Sequence, residues 1–475
     1  MNPKGQRSFI YPLCIGVLAA GLACGGPAPE QTEQQSISAN HIQPWAENPS
    51  YWQYKGEPVL LLGGTDDDNP FQWTDEPLRE QLDLLASVGG NYLRNTMSDR
   101  PDQGFEVYPF KQLPNGKYDL NDWNPEYWRR FERFLQWTAE RDIIVQIELW
   151  DRFDHSRENW PPHPFNPKNN VNFTYEESGF DPEYPAHPGK NMQPFFFTTP
   201  TQRNNETVYP YQERFIDKLL ADSLKFGHVL YCMDNETSGE PEWGRHWAEH
   251  IKRKAQQEGV SVAVTEMWDK WDIKADEHRR TFDHPELYDF VDVSQNNHNK
   301  GEQHWENAAW VHEYLAKAPR PINTVKTYGA DANKFGHTDD DGIERFWRHI
   351  LAGFASARFH RPPAGLGLGA KAQASLRAAR KMESLVAAWD LSPAQDLLTE
   401  RDDNEAYAAV AAGAYVVYFT NGGSVSLEPA PGDYQVNWID IQTGEWGGKS
   451  GLAGGAPISI TAPASGHWLG VIVKQ

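Results

Sequence analysis

The chain has 475 residues and a formal net charge of −22, from 44 Lys+Arg against 66 Asp+Glu. That length exceeds one small domain and suits a barrel of roughly 250 to 400 residues with an addition. An acidic surface repels phosphate backbones, which argues against nucleic acid as a partner. Nineteen Trp, 19 Tyr and 22 Phe suffice for a large core and for flat stacking surfaces besides.

At the N-terminus, Lys4 and Arg7 precede an apolar run from Phe9 to Ala23, short for a bilayer span. The run ends Gly21-Leu22-Ala23-Cys24. This resembles a bacterial lipoprotein signal, although Gly21 stands where such signals usually carry Leu. The resemblance implies removal of residues 1–23 and lipidation of Cys24. The expectation is an exported lipoprotein of the cell envelope, in the outer membrane or periplasm. A lipidated Cys24 leaves only Cys232, so no intramolecular disulfide is expected. Cys232 lies in an apolar strand and reads as an inert core thiol. Residues 24–44 are rich in Gly, Pro, Gln, Glu and Ser and read as a flexible tether.

From residue 45 to 391, strand and helix patterns alternate. Pro58–Gly64, Gly90–Asn95, Ile143–Trp150, His228–Met233, Val262–Glu266, Phe290–Ser294, Ile322–Lys326 and Ala357–His360 are predicted strands. Thr74-Asp75-Glu76 and Asn124-Pro125-Glu126 open helices with apolar residues at helical spacing. Eight such units predict an α/β fold, a (β/α)₈ TIM barrel. About sixty residues after the third strand lack periodicity but hold Trp160, Phe165, Phe173 and Phe195–Phe197, which predicts an ordered cleft wall. Residues 392–475 carry short strands and Gly-rich turns, predicting a small β-sandwich. It reads as a buttress packed on the barrel, because Trp389–Pro393 provides no flexible linker.

In such barrels, catalytic groups sit at the C-terminal strand ends. Those ends carry Asp66–Asp68; Arg94 and Asn95; Glu148, Trp150, Asp151, Arg152 and Asp154; Asp234, Asn235 and Glu236; Glu266, Trp268 and Asp269; Gln295–His298; Lys326 and Tyr328; and His360 with Arg361. A carboxyl group in a cleft can be tuned to protonate a glycosidic oxygen.

Asn235-Glu236 after the fourth strand resembles the Asn-Glu pair of glycoside hydrolase clan A. Gly63-Gly64-Thr65-Asp66, Gly90–Arg94 and Phe346–Gly353 look like apiosidase-like members of that clan. Val436–Glu445 resembles the β-domain that follows such barrels, of the collagen-binding-domain type. The resemblance implies a glycosidase in which Glu236 is general acid/base and Asn235 binds the sugar 2-hydroxyl. It also implies a nucleophilic carboxylate ending the seventh strand, where this chain has Thr324-Val325-Lys326-Thr327-Tyr328-Gly329, with no carboxylate until Asp331.

Three readings follow: another carboxylate serves, with Glu266 first and Glu148 second; or Lys326 and Tyr328 act as in a polysaccharide lyase; or the barrel binds glycan without turnover. Asp66, Asp67, Arg94, Trp150, Asp151, Trp268, Asn297, His298, Lys326, Tyr328 and His360 complete the expected carbohydrate site. If Arg94, Arg152, Lys326, His360 and Arg361 converge, an acidic glycan is favoured; pairing with neighbouring carboxylates is the alternative. No cofactor or metal is assigned, and a monomer is expected.

Overall fold

Eight short parallel strands, buried along their whole length, form the centre of the computed structural model. It describes residues 40–65, 68–101, 103–330, 337–361 and 368–475. The predicted signal, Cys24, most of the tether, Asp66, Asp67 and Asp331 lie outside them. The strands are β1 Leu61–Thr65, β2 Tyr92–Thr96, β3 Ile144–Asp151, β4 Val229–Asn235, β5 Ala263–Thr265, β6 Val291–Asp292, β7 Ile322–Asn323 and β8 Ser356–His360. Helices cover the outside: α1 Asp75–Ser87, α2 Pro125–Ala139, α3 Tyr209–Ser223, α4 Pro241–Gln257, α5 Asp276–Phe282, α6 Gly301–Leu315, α7 Asp339–Leu351 and α8 Ala370–Glu383. Strands covered on both faces are largely apolar, which is why the pattern was legible, although Arg94, Gln146, Glu148 and Arg358 interrupt the runs.

One continuous ladder runs β5-β4-β3-β2-β1-β8, and β6 pairs with β7. Two seams close the ring. Asp289 N donates to Val264 O at 3.0 Å, beside β5. Ala355 N donates to Ile322 O at 2.9 Å, and Thr327 N to Arg358 O at 3.1 Å, beside β7 and β8. The predicted first strand was too long. Glu57–Val59 folds back antiparallel on Trp52–Tyr54, and the barrel strand begins only at Leu61. This hairpin plugs the barrel floor: Trp52 is fully buried and its Nε1 donates to Asn323 Oδ1 at 2.9 Å.

The long excursion after β3 is ordered, but its aromatics face inward. Phe195 packs on Trp150, Phe165 and Trp243, and Trp160 on Phe180 and Tyr184. Its rings extend the barrel's apolar core instead of lining a cleft.

The C-terminal segment forms a six-stranded antiparallel sheet facing a three-stranded one. Side chains alternate between the faces. Ala406, Ala408, Val417 and Phe419 enter the sandwich core. Tyr407, Ala409, Val416 and Tyr418 join the barrel's apolar core instead. Tyr407 meets Trp305 of α6 at 5.1 Å between centroids, and Tyr418 meets Trp347 of α7 at 6.1 Å. Around this seam Arg401 pairs with Glu302 at 2.7 Å, and Lys381 with Glu445 at 2.7 Å. Trp438 is buried in the sandwich.

Deleting residues 392–475 uncovers this apolar face. The truncated barrel is expected to aggregate, or to melt several degrees below the full chain, by light scattering and calorimetry. A soluble truncation with an unchanged melting temperature would contradict the shared core.

Candidate functional site

β4 is apolar until it reaches the barrel mouth, where it delivers Asp234, Asn235 and then Glu236. Glu236 has φ of 54°, a left-handed conformation that costs a non-glycine residue energy. From there its carboxylate reaches the ends of β6 and β7. Lys326 Nζ lies 2.6 Å from Glu236 Oε1, and Gln295 Nε2 donates to the same oxygen at 2.9 Å. Among the described residues Oε2 has no hydrogen-bond partner, and the side chain keeps 18% of its surface exposed. Lys326 also donates to Asn235 Oδ1 at 2.7 Å. Asn235 Nδ2 donates to Asp151 Oδ2 at 3.0 Å, and Arg100 lies 3.1 Å from that oxygen.

The β4 and β5 loops are zipped together beyond the strands. Thr237 N donates to Met267 O at 2.7 Å, and Asp269 N to Thr237 O at 2.8 Å. Alternation then sorts the β5 loop. Glu266 and Trp268 turn away from the mouth, and Asp269 turns toward it. Ser238 Oγ donates to Asp269 Oδ2 at 3.3 Å. The long excursion reaches the same carboxylate: a Cβ on Gly189 would lie 3.3 Å from Asp269 Oδ2.

Electrostatics separates these two acids. Burial pushes the Glu236 carboxyl up, but the Lys326 ammonium, its hydrogen bond and Arg94 together hold it below its usual range. Burial and the negative charge of Glu236 push Asp269 up to about 6. One acid is held ionised; the other keeps its proton into mildly acidic solution.

The expected second carboxylates lie elsewhere. Glu266 is buried and accepts from Asp234 N and Met267 N, each at 3.0 Å. It packs under α4, where a Cβ on Gly244 would fall 2.2 Å from Glu266 Oε2. Burial and the Asp234 carboxylate push its pKa well above the usual range. Glu148 is fully buried in the barrel interior, 2.6 Å from Arg94 and accepting from Thr96 Oγ1 at 2.6 Å.

Neither expected indole offers a free face. Trp268 is buried and donates to Thr281 Oγ1 at 2.8 Å. Trp150 is buried among Phe195, Phe215, Trp243 and Trp247. The exposed ring is Trp271, stacked on His298.

The five cations do not make a free basic patch. Arg94 pairs with Glu148 and Asp68, Arg152 lies 3.9 Å from Asp234, and Lys326 holds Glu236. His360 lies 3.5 Å from Asp68, and Arg361 pairs with Asp68. Arg100, not anticipated from the sequence, joins Asp68 to Asp151. Pairing, the commoner fate of buried charge, thus prevails over a locally positive cleft. Tyr328 stacks on His337 and meets His360 edge-on, its N donates to Asn297 Oδ1 at 2.9 Å, and burial pushes its phenol up. Neither it nor the doubly engaged Lys326 is poised as a base.

A direct check of the Glu266 placement is Gly244→Ala. The added methyl has no room, so the variant should lose roughly 1–3 kcal/mol of unfolding free energy in denaturant titration. An unchanged midpoint would mean that Glu266 does not face α4.

No protein-family model and no curated protein matches the sequence. Among solved structures, a glycoside hydrolase family 5 protein from Bacteroides vulgatus aligns with a TM-score of 0.60 and 14% identity, over 92% of this chain and 93% of its own. Another, described as a glycoside hydrolase, gives 0.58 and 12%, over 93% of this chain and 98% of its own. At such identities the likeness establishes the fold, an α/β barrel.

Proposed function

We propose that this protein is a glycoside hydrolase that uses Asp269 and Glu236 as its carboxylate pair. The observation that carries the reading is the electrostatic split: Lys326 keeps Glu236 ionised, while burial and the Glu236 charge keep Asp269 protonated up to about pH 6. Two carboxyls with pKa values driven apart is how glycosidases assign acid and base. The roles differ from those the clan A resemblance implies. Asp269 donates its proton to the glycosidic oxygen as the bond to the anomeric carbon breaks. Glu236, through Oε2, stabilises the positive charge developing on that carbon, by bonding to it or by deprotonating the water that attacks it. Asn235, held by Lys326 and Asp151, presents a fixed amide to a sugar hydroxyl. On the same proposal, the resemblance of the N-terminal residues to a lipoprotein signal supports a place at the cell envelope with Cys24 as anchor. The apiosidase-like character and the type of the C-terminal domain belong to the proposal as well.

A second reading has one observation in its favour. The ion pair with Lys326 occupies the place expected of a second carboxylate, which is how a glycan-binding barrel without turnover would look.

Kinetics on plant and algal polysaccharides separate the two. Hydrolysis predicts reducing-end release that falls about 10²–10⁴-fold in both Glu236→Gln and Asp269→Asn. Activity should decline as pH rises through about 6, as Asp269 loses its proton. It should also decline as pH falls below the usual carboxylate range, as Glu236 gains one. Absence of release from every substrate, with glycan affinity intact in both variants, would select the binding reading. Release that survives Asp269→Asn would remove Asp269 from the mechanism.

A further inference from the structure

Trp271 departs from the otherwise buried indoles near the barrel mouth, with 61% of its surface exposed. It follows Asp269 by two residues on the β5 loop. One face is covered by His298, with ring centroids 4.2 Å apart and planes 14° apart. The loop beneath is braced: Asn299 Nδ2 donates to Trp271 O at 3.4 Å, and Arg345 Nε of α7 donates to Asn299 O at 3.0 Å. An exposed indole costs hydrophobic free energy in water, and here it is held flat by a stacking partner instead of folding down onto the surface. The platform adjoins the acids through its own chain: Trp271 shares the β5 loop with Asp269, and His298 ends the short turn Ser294–His298 whose Gln295 holds Glu236 at 2.9 Å.

We infer that the Trp271–His298 stack is a sugar-binding subsite that takes the apolar face of a pyranose ring next to the ring being cleaved. The inference rests on the glycosidase reading and makes the substrate an oligosaccharide that extends past the cleavage point. A pyranose presents a flat patch of C–H groups matched to an indole face, while its hydroxyls stay in water. Because the ring on Trp271 is not the reacting ring, the platform contributes binding to longer substrates only.

The experiment uses the full chain in the Asp269→Asn background, titrated calorimetrically with gluco-, xylo- and manno-configured oligosaccharides of three to six units. Trp271→Ala should weaken the oligosaccharide that binds by about 2- to 10-fold, the range of an aromatic stacking contact, and Trp271→Phe should restore most of it. Equal affinities for wild type and Trp271→Ala, or no binding of any of these oligosaccharides, would overturn the inference. Trp271-dependent binding without turnover would support it and sink the hydrolase reading alone.

Discussion

The contact on which the rest of this site depends is the ammonium of Lys326 against Glu236. A buried carboxylate without a partner would neutralise itself by taking a proton. Lys326 prevents that and spends a second hydrogen bond on Asn235, so the Asn-Glu pair is held as a unit. Removing either partner would strand a charge in a place with little water, which is far costlier than the pair itself is stabilising. The charge kept on Glu236 then acts on its neighbour. Asp269 is driven toward neutrality by its burial and by that charge. Lys326 therefore keeps Glu236 ionised, while burial first and the Glu236 charge second raise Asp269.

The barrel makes that arrangement possible by closing at two seams and by zipping its loops. β6 and β7 are short, yet backbone bonds from Asp289, Ala355 and Thr327 join them to their neighbours. Lys326 and Gln295 thus come from strands whose ends are fixed relative to β4. The left-handed turn at Glu236 is the local cost of aiming its carboxylate across the mouth, and strain of this kind concentrates at functional positions. Asp68, bonded to Arg94, Arg100 and Arg361, ties the loops after β1, β2 and β8 together behind this centre.

Much of the fold was legible because parallel strands buried on both faces leave long apolar runs. Boundaries failed where the chain bends without changing its apolarity. Pro58–Gly64 reads as one strand but divides between the floor hairpin and β1. Within the site, Asn235-Glu236 could be read from its place after β4. Glu266 and Trp268 were misassigned because being at a strand end does not reveal which side a residue faces. Alternation puts 266 and 268 on one side and 269 on the other, and only the pairing of the β5 loop with Thr237 fixes which side meets the mouth. Arg100 and Trp271 lie in loops without periodicity, and no local pattern marks them. The aromatics of the long excursion were visible in the sequence, but their burial was not, since it depends on α3 and α4 packing over them.

The most direct test of the account is a ¹³C NMR titration of the Glu236 and Asp269 side-chain carboxyls, in the wild type and in Glu236→Gln. The account predicts that Glu236 titrates below the usual carboxylate range and Asp269 near 6 in the wild type. It also predicts that Asp269 titrates at lower pH once the Glu236 charge is gone, with burial still holding it above the usual range. If Asp269 titrates in the ordinary carboxylate range in both proteins, the two acids are not coupled and the proposed pair is wrong.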